Sequence, residues 1–212
     1  VHTLDKNYGF GLANNIGVQK ARGQFLLFLN SDTIFTSNIG LDSISEMKNI
    51  KNCGVYSCSL KNTDGTPQPS GGFFPNLLNL IAWQLFIDDL PWVGDKIKSI
   101  HPHEPGFVFW QRLLKVNKKN KTLDKHIQPD WVTGAFTIIP KQLFEKVGGF
   151  DEKIFMYTEE MELCFRLKKL GYKTVYQISP AIIHLGGASG GSVFALTSEV
   201  KNMIYFWKIK TK

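Results

Sequence analysis

The stretch Gln24-Phe-Leu-Leu-Phe-Leu-Asn-Ser-Asp-Thr33 is an unbroken apolar run that ends abruptly in four short, oxygen-bearing side chains. A short apolar run of this kind reads as a strand buried on both faces, as in a parallel sheet. In open α/β sheets the carboxyl end of such a strand is where ligands bind. Asn30 and Asp32 stand at i and i+2 of an extended end, so their side chains point the same way and can hold a hard cation such as Mg²⁺ or Mn²⁺ beside a diphosphate. The same four residue types are also what an ordinary turn prefers, and that reading stays open for the four alone.

Working outward, near-helical spacing of Phe10, Ala13, Ile16 and Ala21 predicts a helix over 12–22, stopped by Gly23. A weaker helix over 39–50, a strand over 54–60 and a turn over 62–65 continue an α/β alternation. Residues 67–75 read as Pro/Gly/Ser-rich loop and 76–88 as helix, while 91–129 show little period. A strand is expected over 131–139 and a short helix over 140–147, the latter opened by Pro140 and ended by Gly148-Gly149. Thr158 is expected to cap a helix reaching residue 170, closed by Gly171. Two short strands over 173–178 and 181–184, a glycine-rich loop over 186–191 and an amphipathic helix over 197–208 complete the reading.

The chain's 212 residues suit one domain, and three cysteines with no C-x-x-C pair suggest neither a disulfide framework nor a zinc site. A reducing compartment fits that usage. Val1 to Leu4 do not read as a leader, and the longest apolar stretch, interrupted by Asn79, Gln84 and Asp88-Asp89, falls short of the roughly 20 residues a bilayer crossing needs. The net charge of +7 gathers partly over 112–125 and 201–212. Such charge suits an anionic partner: a nucleotide diphosphate, a lipid headgroup surface or a nucleic acid, although no nucleic-acid motif accompanies it.

Two further constellations carry chemistry. In Gly149-Phe-Asp-Glu152 … Tyr157-Thr-Glu-Glu-Met-Glu162 … Arg166, three carboxylates crowd a helix start. Favourable interaction with the helix dipole is one reading. The other is a general base whose pKa is raised by its neighbours, able to take a proton from an attacking alcohol. His184 ends an apolar strand just before glycines; it is either a structural histidine or a further ligand for a divalent metal, with backbone free to approach phosphates.

Taken together, these stretches resemble family 2 of the glycosyltransferases with the GT-A fold, particularly its rhamnosyltransferase-like bacterial members. The matching text includes Asn7-Tyr-Gly-Phe-Gly11, Ala13-Asn-Asn-Ile-Gly17, Leu26 to Thr33, Trp131-Val-Thr-Gly-Ala135, Val147 to Glu152, Glu159-Glu160, Leu163-Cys-Phe-Arg166 and His184-Leu-Gly-Gly187 with Ser189. The resemblance implies an α/β fold with a mostly parallel central sheet flanked by helices. It divides the chain into a donor-binding remainder (1–66), a variable insertion (67–129) and an acceptor-side, catalytic half (130–212). The family opens with a strand, a helix and a second strand not found before Val1, so a sheet lacking its first strands is expected.

The resemblance makes Asp32 the metal-binding carboxylate of a D-x-D-like motif with Asn30 at its first position and Ser31 between them, and puts His184 on the metal or a diphosphate oxygen. It makes Glu160 the base, at a position usually held by Asp, with Glu159, Trp131 and Gly134 on the acceptor side. Asn7, Gly9, Gly11 and Asn14 fall where such enzymes meet the nucleotide. The implied activity is inverting, Mg²⁺- or Mn²⁺-dependent transfer from a nucleotide-sugar donor to a glycan or lipid-linked acceptor in cell-surface polysaccharide synthesis. A cytoplasmic location with peripheral contact at the inner membrane face and no nucleic-acid partner goes with it. A degenerate, non-catalytic domain that binds sugar or nucleotide is the alternative.

Overall fold

A computed structural model describes residues 2–35, 38–68, 70–85, 87, 98, 100, 126–186 and 192–211. The basic stretch over 112–125 and residues 187–191 of the glycine-rich loop lie outside them.

The chain opens with α1 (Phe10–Lys20), β1 (Phe25–Leu29), β2 (Thr33–Ile34), α2 (Ile39–Asn49) and β3 (Cys53–Lys61). A short hairpin arm follows, β4 (Pro67–Gln68), with β5 (Gly71–Gly72) and α3 (Leu77–Gln84). The second half holds β6 (His126–Ile127), β7 (Trp131–Val132), β8 (Phe136–Pro140), α4 (Lys141–Lys146), α5 (Glu159–Lys169), β9 (Lys173–His184) and α6 (Ser192–Lys210). The architecture is mixed α/β, a central sheet with helices around it.

The sheet runs β1-β8-β3-β9-β2, with β4 on β3 and β6 on β9, while β5 and β7 pair separately. Its longest ladder, β3 with β9, is parallel, but every other described pairing is antiparallel. The expectation of a mostly parallel sheet is corrected on this point. Two of these pairings come from β8, which inserts between β1 and β3 and runs against both, and the others from the short strands β2, β4 and β6 added antiparallel to β9 and β3 and from the separate β5–β7 pair. β1 also departs from its expected two-sided burial: Leu26 and Phe28 are buried, Phe28 against Phe144 and Phe150, whereas Leu27 and Leu29 are 44% and 39% exposed. The described elements cover one face only.

Residues on either side of the sheet form two apolar clusters, sorted by the alternation along β3 that sends Val55 to one and Tyr56 to the other. The single strand expected over 131–139 is two strands. Between them Gly134 turns its N–H to a helix instead of a sheet partner. The two strands expected over 173–184 are instead one, with a register shift where Cys58 pairs Gln177 and Ser59 pairs Ala181. The final helix is longer than expected, and it is anchored by buried Met203 and Phe206. The three cysteines are buried and free. No helix of the described residues is long and apolar enough to cross a membrane.

Candidate active site

The register of β2 on β9 builds the first half of the site. Thr33 lies opposite His184, and Leu185 N–H donates to Asp32 O at 2.8 Å, so the turn after β1 is tied to the end of β9. Asp32 Oδ1 then stands 3.3 Å from His184 Nε2, with Asn30 Nδ2 3.2 Å from the same nitrogen. The turn reading of Asn30 to Thr33 is also satisfied, because Thr33 Oγ1 donates to Asn30 O at 2.8 Å. Turn and site are the same residues.

His184 Nδ1 faces Gln68 Oε1 at 2.6 Å, and the Gln68 amide is oriented by donating through Nε2 to Asn62 Oδ1 at 2.9 Å. That orientation assigns the proton to Nδ1 and leaves a lone pair on Nε2. In this tautomer Nε2 accepts from Asn30 Nδ2 at 3.2 Å and also faces Asp32 Oδ1, and a cation seated between Nε2 and Oδ1 would take the place of that amide. A separation of 3.3 Å suits adjacent ligands of one hard divalent ion, whose bonds are about 2.1 Å. Asp32 and His184 therefore fit a metal, with Gln68 as the partner that fixes the histidine tautomer. Among the described residues no group of three or more His, Cys, Asp or Glu side chains gathers as a metal cluster. The remaining coordination falls to a ligand or water.

The second half of the site is the start of α5. Tyr157 and Thr158 precede it in the left-handed region, at φ 68° and 81°, and the Thr158 side chain makes no capping bond, contrary to the expected cap. Asn202 of α6 holds the strained pair by donating to Met156 O and Tyr157 O, both at 2.9 Å. The three carboxylates that follow separate by environment. Glu162 is structural: Arg166 binds it at 2.7 Å through Nε and also donates to Val147 O and Gly149 O. Glu160 Oε1 accepts the Gly134 N–H at 2.7 Å. A Cβ at Gly134 would lie 2.5 Å from Phe10 Cζ and 2.7 Å from Glu160 Oε1, so only glycine allows this approach. Glu159 is 2% exposed, and burial first, with the Glu160 charge second, pushes its carboxyl up to about 9, leaving it protonated at neutral pH.

Both halves open into one cavity of about 430 Å³, whose walls include Asn30, Asp32, Trp131, Gly134, Glu160 and His184, with Glu159 also reaching it. Three buried side-chain oxygens on its lining residues, Thr133 Oγ1, Thr158 Oγ1 and Glu159 Oε2, have no hydrogen-bond partner. Buried polar atoms of this kind are rare and mark a place where a ligand or water completes the bonding.

Asn7, Gly9, Gly11, Asn14 and Ser31 do not line the cavity. Asn7 Oδ1 accepts the Gly9 N–H, Asn14 Nδ2 donates to Phe10 O, and a Cβ on Gly9 would meet Phe155 O at 2.0 Å. Gly11 packs at 3.1 Å, by the same measure, from Phe150 Cβ. Together they seat α1 and deliver Phe10 to the cavity wall. Sequence reasoning gave no role to Gln68, Thr133 or Glu199 and took Thr158 only as a helix cap, yet all four also line the cavity. Thr133 lay inside a recognised motif and could have been found; Gln68 sat in a stretch read as loop.

The fold is shared with solved glycosyltransferases. The chain superposes on the crystal structure of GalNAc-T7 with UDP, GalNAc and Mn²⁺ with a TM-score of 0.60 at 18% identity, over 98% of this chain and 36% of that one. This defines the class, a GT-A glycosyltransferase fold. No protein-family profile matches the chain. It is 26% identical over 189 residues to the O-antigen biosynthesis protein RfbC of Myxococcus xanthus, covering 88% of this chain and 13% of that protein. It is 25% identical over 195 residues to the rhamnosyltransferase WbbL of Escherichia coli K12, covering 89% of this chain and 65% of that protein. The chain thus spans less than two thirds of the length of either relative. These likenesses support a family 2 glycosyltransferase of the rhamnosyltransferase type.

Proposed function

We propose that the site transfers a sugar, with inversion, from a nucleotide-diphosphate donor to a hydroxyl of a glycan or lipid-linked glycan in polysaccharide synthesis. The observation that carries the reading is the convergence of Asn30, Asp32, Trp131, Glu160 and His184, from four separate stretches of sequence, on one cavity. Asp32 and His184 would hold Mg²⁺ or Mn²⁺, and the ion supplies charge neutralisation for a leaving nucleoside diphosphate.

The remaining steps belong to the chain. Gly134 fixes one oxygen of Glu160, so the carboxylate is already oriented when an acceptor hydroxyl arrives. Glu160 takes the hydroxyl proton, the hydroxyl oxygen bonds to the anomeric carbon, and the bond to the diphosphate oxygen breaks with its electron pair leaving on the diphosphate. Glu159, held protonated by its burial, would be available to donate a hydrogen bond to a ligand in the same cavity and leaves Glu160 as the base. Trp131 offers an apolar wall to the acceptor ring. On this reading residues 1–66 serve the donor, with Asn7, Gly9, Gly11, Asn14 and Ser31 bordering the nucleotide, and 130–212 serve the acceptor and catalysis, with the segment 67–129 between them.

A melting screen of nucleoside diphosphates and nucleotide sugars, with and without Mn²⁺, tests the reading, since a ligand of the folded state raises its stability. A rise that needs both metal and nucleotide is expected. Absence of any metal-dependent nucleotide effect overturns it.

A further inference from the structure

Away from the transfer site, four lysines converge on a second cavity, of about 480 Å³. Lys98, Lys168, Lys169 and Lys210 stand in its wall, against Asp130 as the one carboxylate among the described lining residues. Asp130 is already committed, because Oδ1 pairs with Lys168 and Oδ2 accepts the Phe74 N–H at 2.9 Å. No carboxylate of the described residues stands within ion-pair reach of Lys98, Lys169 or Lys210.

These lysines are held in place instead of splaying into water. Lys98 lies over the Phe73 ring, Lys168 over Phe74 and Lys169 over Phe165, at 5.2, 5.4 and 4.7 Å from the ring centres. Phe74 and Phe165 meet edge to face at 5.4 Å, so two of these perches belong to one aromatic pair. Lys210 reaches in from the last turn of α6 and donates to Pro75 O at 2.6 Å. Burial above all, with the Lys168 charge acting the same way and Asp130 the opposite, lowers the Lys210 pKa from its ordinary value. Like charges gathered at fixed positions repel, and an anion entering between them relieves the repulsion.

We infer that this cavity is a second anion site, separate from the transfer site, for a ligand carrying two or more linked phosphates. Lysine meets phosphate as a point charge and requires no fork geometry. A single phosphate brings at most about two negative charges, fewer than the three by which four lysines exceed one carboxylate. The volume falls within the range of small-molecule pockets. No described residue lines both cavities, and along α5 Lys168 and Lys169 follow Glu160 by eight and nine residues, about 12–14 Å of helix. On the transfer reading a metal would neutralise the diphosphate at Asp32 and His184, whereas here the lysines themselves supply the counter-charge.

Calorimetry with inorganic pyrophosphate in EDTA tests this with neither donor nor metal present, so its outcome is separate from that of the transfer reading. The whole chain should bind pyrophosphate at least tenfold more tightly than orthophosphate, and more weakly at high salt. The double change Lys98→Gln and Lys169→Gln should lower that affinity tenfold or more with unaltered melting, both side chains being exposed. Asp32→Ala should leave it unchanged. Geranyl diphosphate separates two sources of the same chemistry: affinity equal to or weaker than that of pyrophosphate upholds a site for free phosphates, and tighter binding upholds one for the diphosphate end of a larger molecule. Failure of pyrophosphate to bind, equal binding of orthophosphate, undiminished binding by the lysine variant, or loss of binding in Asp32→Ala overturns the inference.

Discussion

Two histidine clusters flank the same strand, β9, and differ in how their hydrogen bonds end. Near the middle of the strand, His126 lies opposite Gln177, and its Nε2 meets Glu46 Oε2 at 2.6 Å; Tyr56 OH joins Glu46, Gln177 and His126 at 2.9, 2.7 and 3.1 Å. Gln177 Nε2 is satisfied by Ser179 O. That network closes on itself. At the carboxyl end of β9, His184 and Asp32 instead open on a cavity beside three buried oxygens with no partner. A polar group that serves the fold saturates its neighbours, and one that serves a ligand keeps capacity in reserve. The presence of a histidine, a carboxylate and a glutamine does not distinguish the two. What distinguishes them is the cavity at the second cluster, whose lining leaves Thr133 Oγ1, Thr158 Oγ1 and Glu159 Oε2 without partners.

The sharpest way to break this contrast is at Glu160. Glu160→Gln retains an oxygen to accept the Gly134 N–H but cannot take a proton, so transfer should fall on the order of 10²–10⁴-fold with nucleotide binding kept. Glu159→Gln, assayed beside it, should be far milder because Glu159 is already protonated. Equal small losses in both would remove Glu160 as the base. Next in size is Asp32→Ala, which should abolish Mn²⁺-dependent nucleotide binding in calorimetry while leaving melting without ligand nearly unchanged; an unaltered affinity would place the metal elsewhere. Gln68→Leu should weaken the same binding about 10-fold or more by releasing the His184 tautomer, with no change in binding measured without metal.

The closed cluster should answer in the opposite currency. Tyr56→Phe removes a wholly buried hydroxyl from Glu46 and Gln177 and should cost about 1–3 kcal/mol of stability in urea titration, with metal-dependent nucleotide affinity intact. Loss of that affinity would show that the two clusters are one system. The smallest effect concerns pH. Because folding raises the Glu159 carboxyl, its stabilising contribution is complete below the unfolded carboxyl range and is lost as pH climbs toward about 9. The parent should therefore lose melting temperature with rising pH more steeply than Glu159→Gln. Parallel slopes would mean the carboxyl is not held protonated.

Much of the site could be read from sequence because its chemistry sits at element ends. The apolar run into Asn30 to Thr33, the carboxylates opening α5 and His184 closing β9 are each local signals, and the resemblance put them in one register. What could not be read depends on partners distant in sequence. Two of the sheet's antiparallel pairings come from β8, more than a hundred residues after β1, inserting beside it. The exposure of Leu27 and Leu29 depends on which elements cover β1, and an apolar run states only that both faces could be covered. Gln68 reaches His184 through a hairpin arm of two residues, too short to carry a period. At Thr158 the residue type correctly announced a helix start, but the reason given for it was wrong, since its hydroxyl caps nothing.

That last feature bears on how the protein would respond to selection in the laboratory. Tyr157 and Thr158 occupy a backbone conformation that glycine adopts freely and a β-branched residue resists, at a typical cost of about 1–3 kcal/mol each. A library ranked by heat resistance alone should therefore enrich Gly or Asn at these two positions. Each such winner at 158 would lose the threonine hydroxyl that faces the cavity unpaired, and would loosen the segment that aims Glu159 and Glu160. Thermal hardiness and turnover would then be drawn from the same two codons in opposite directions.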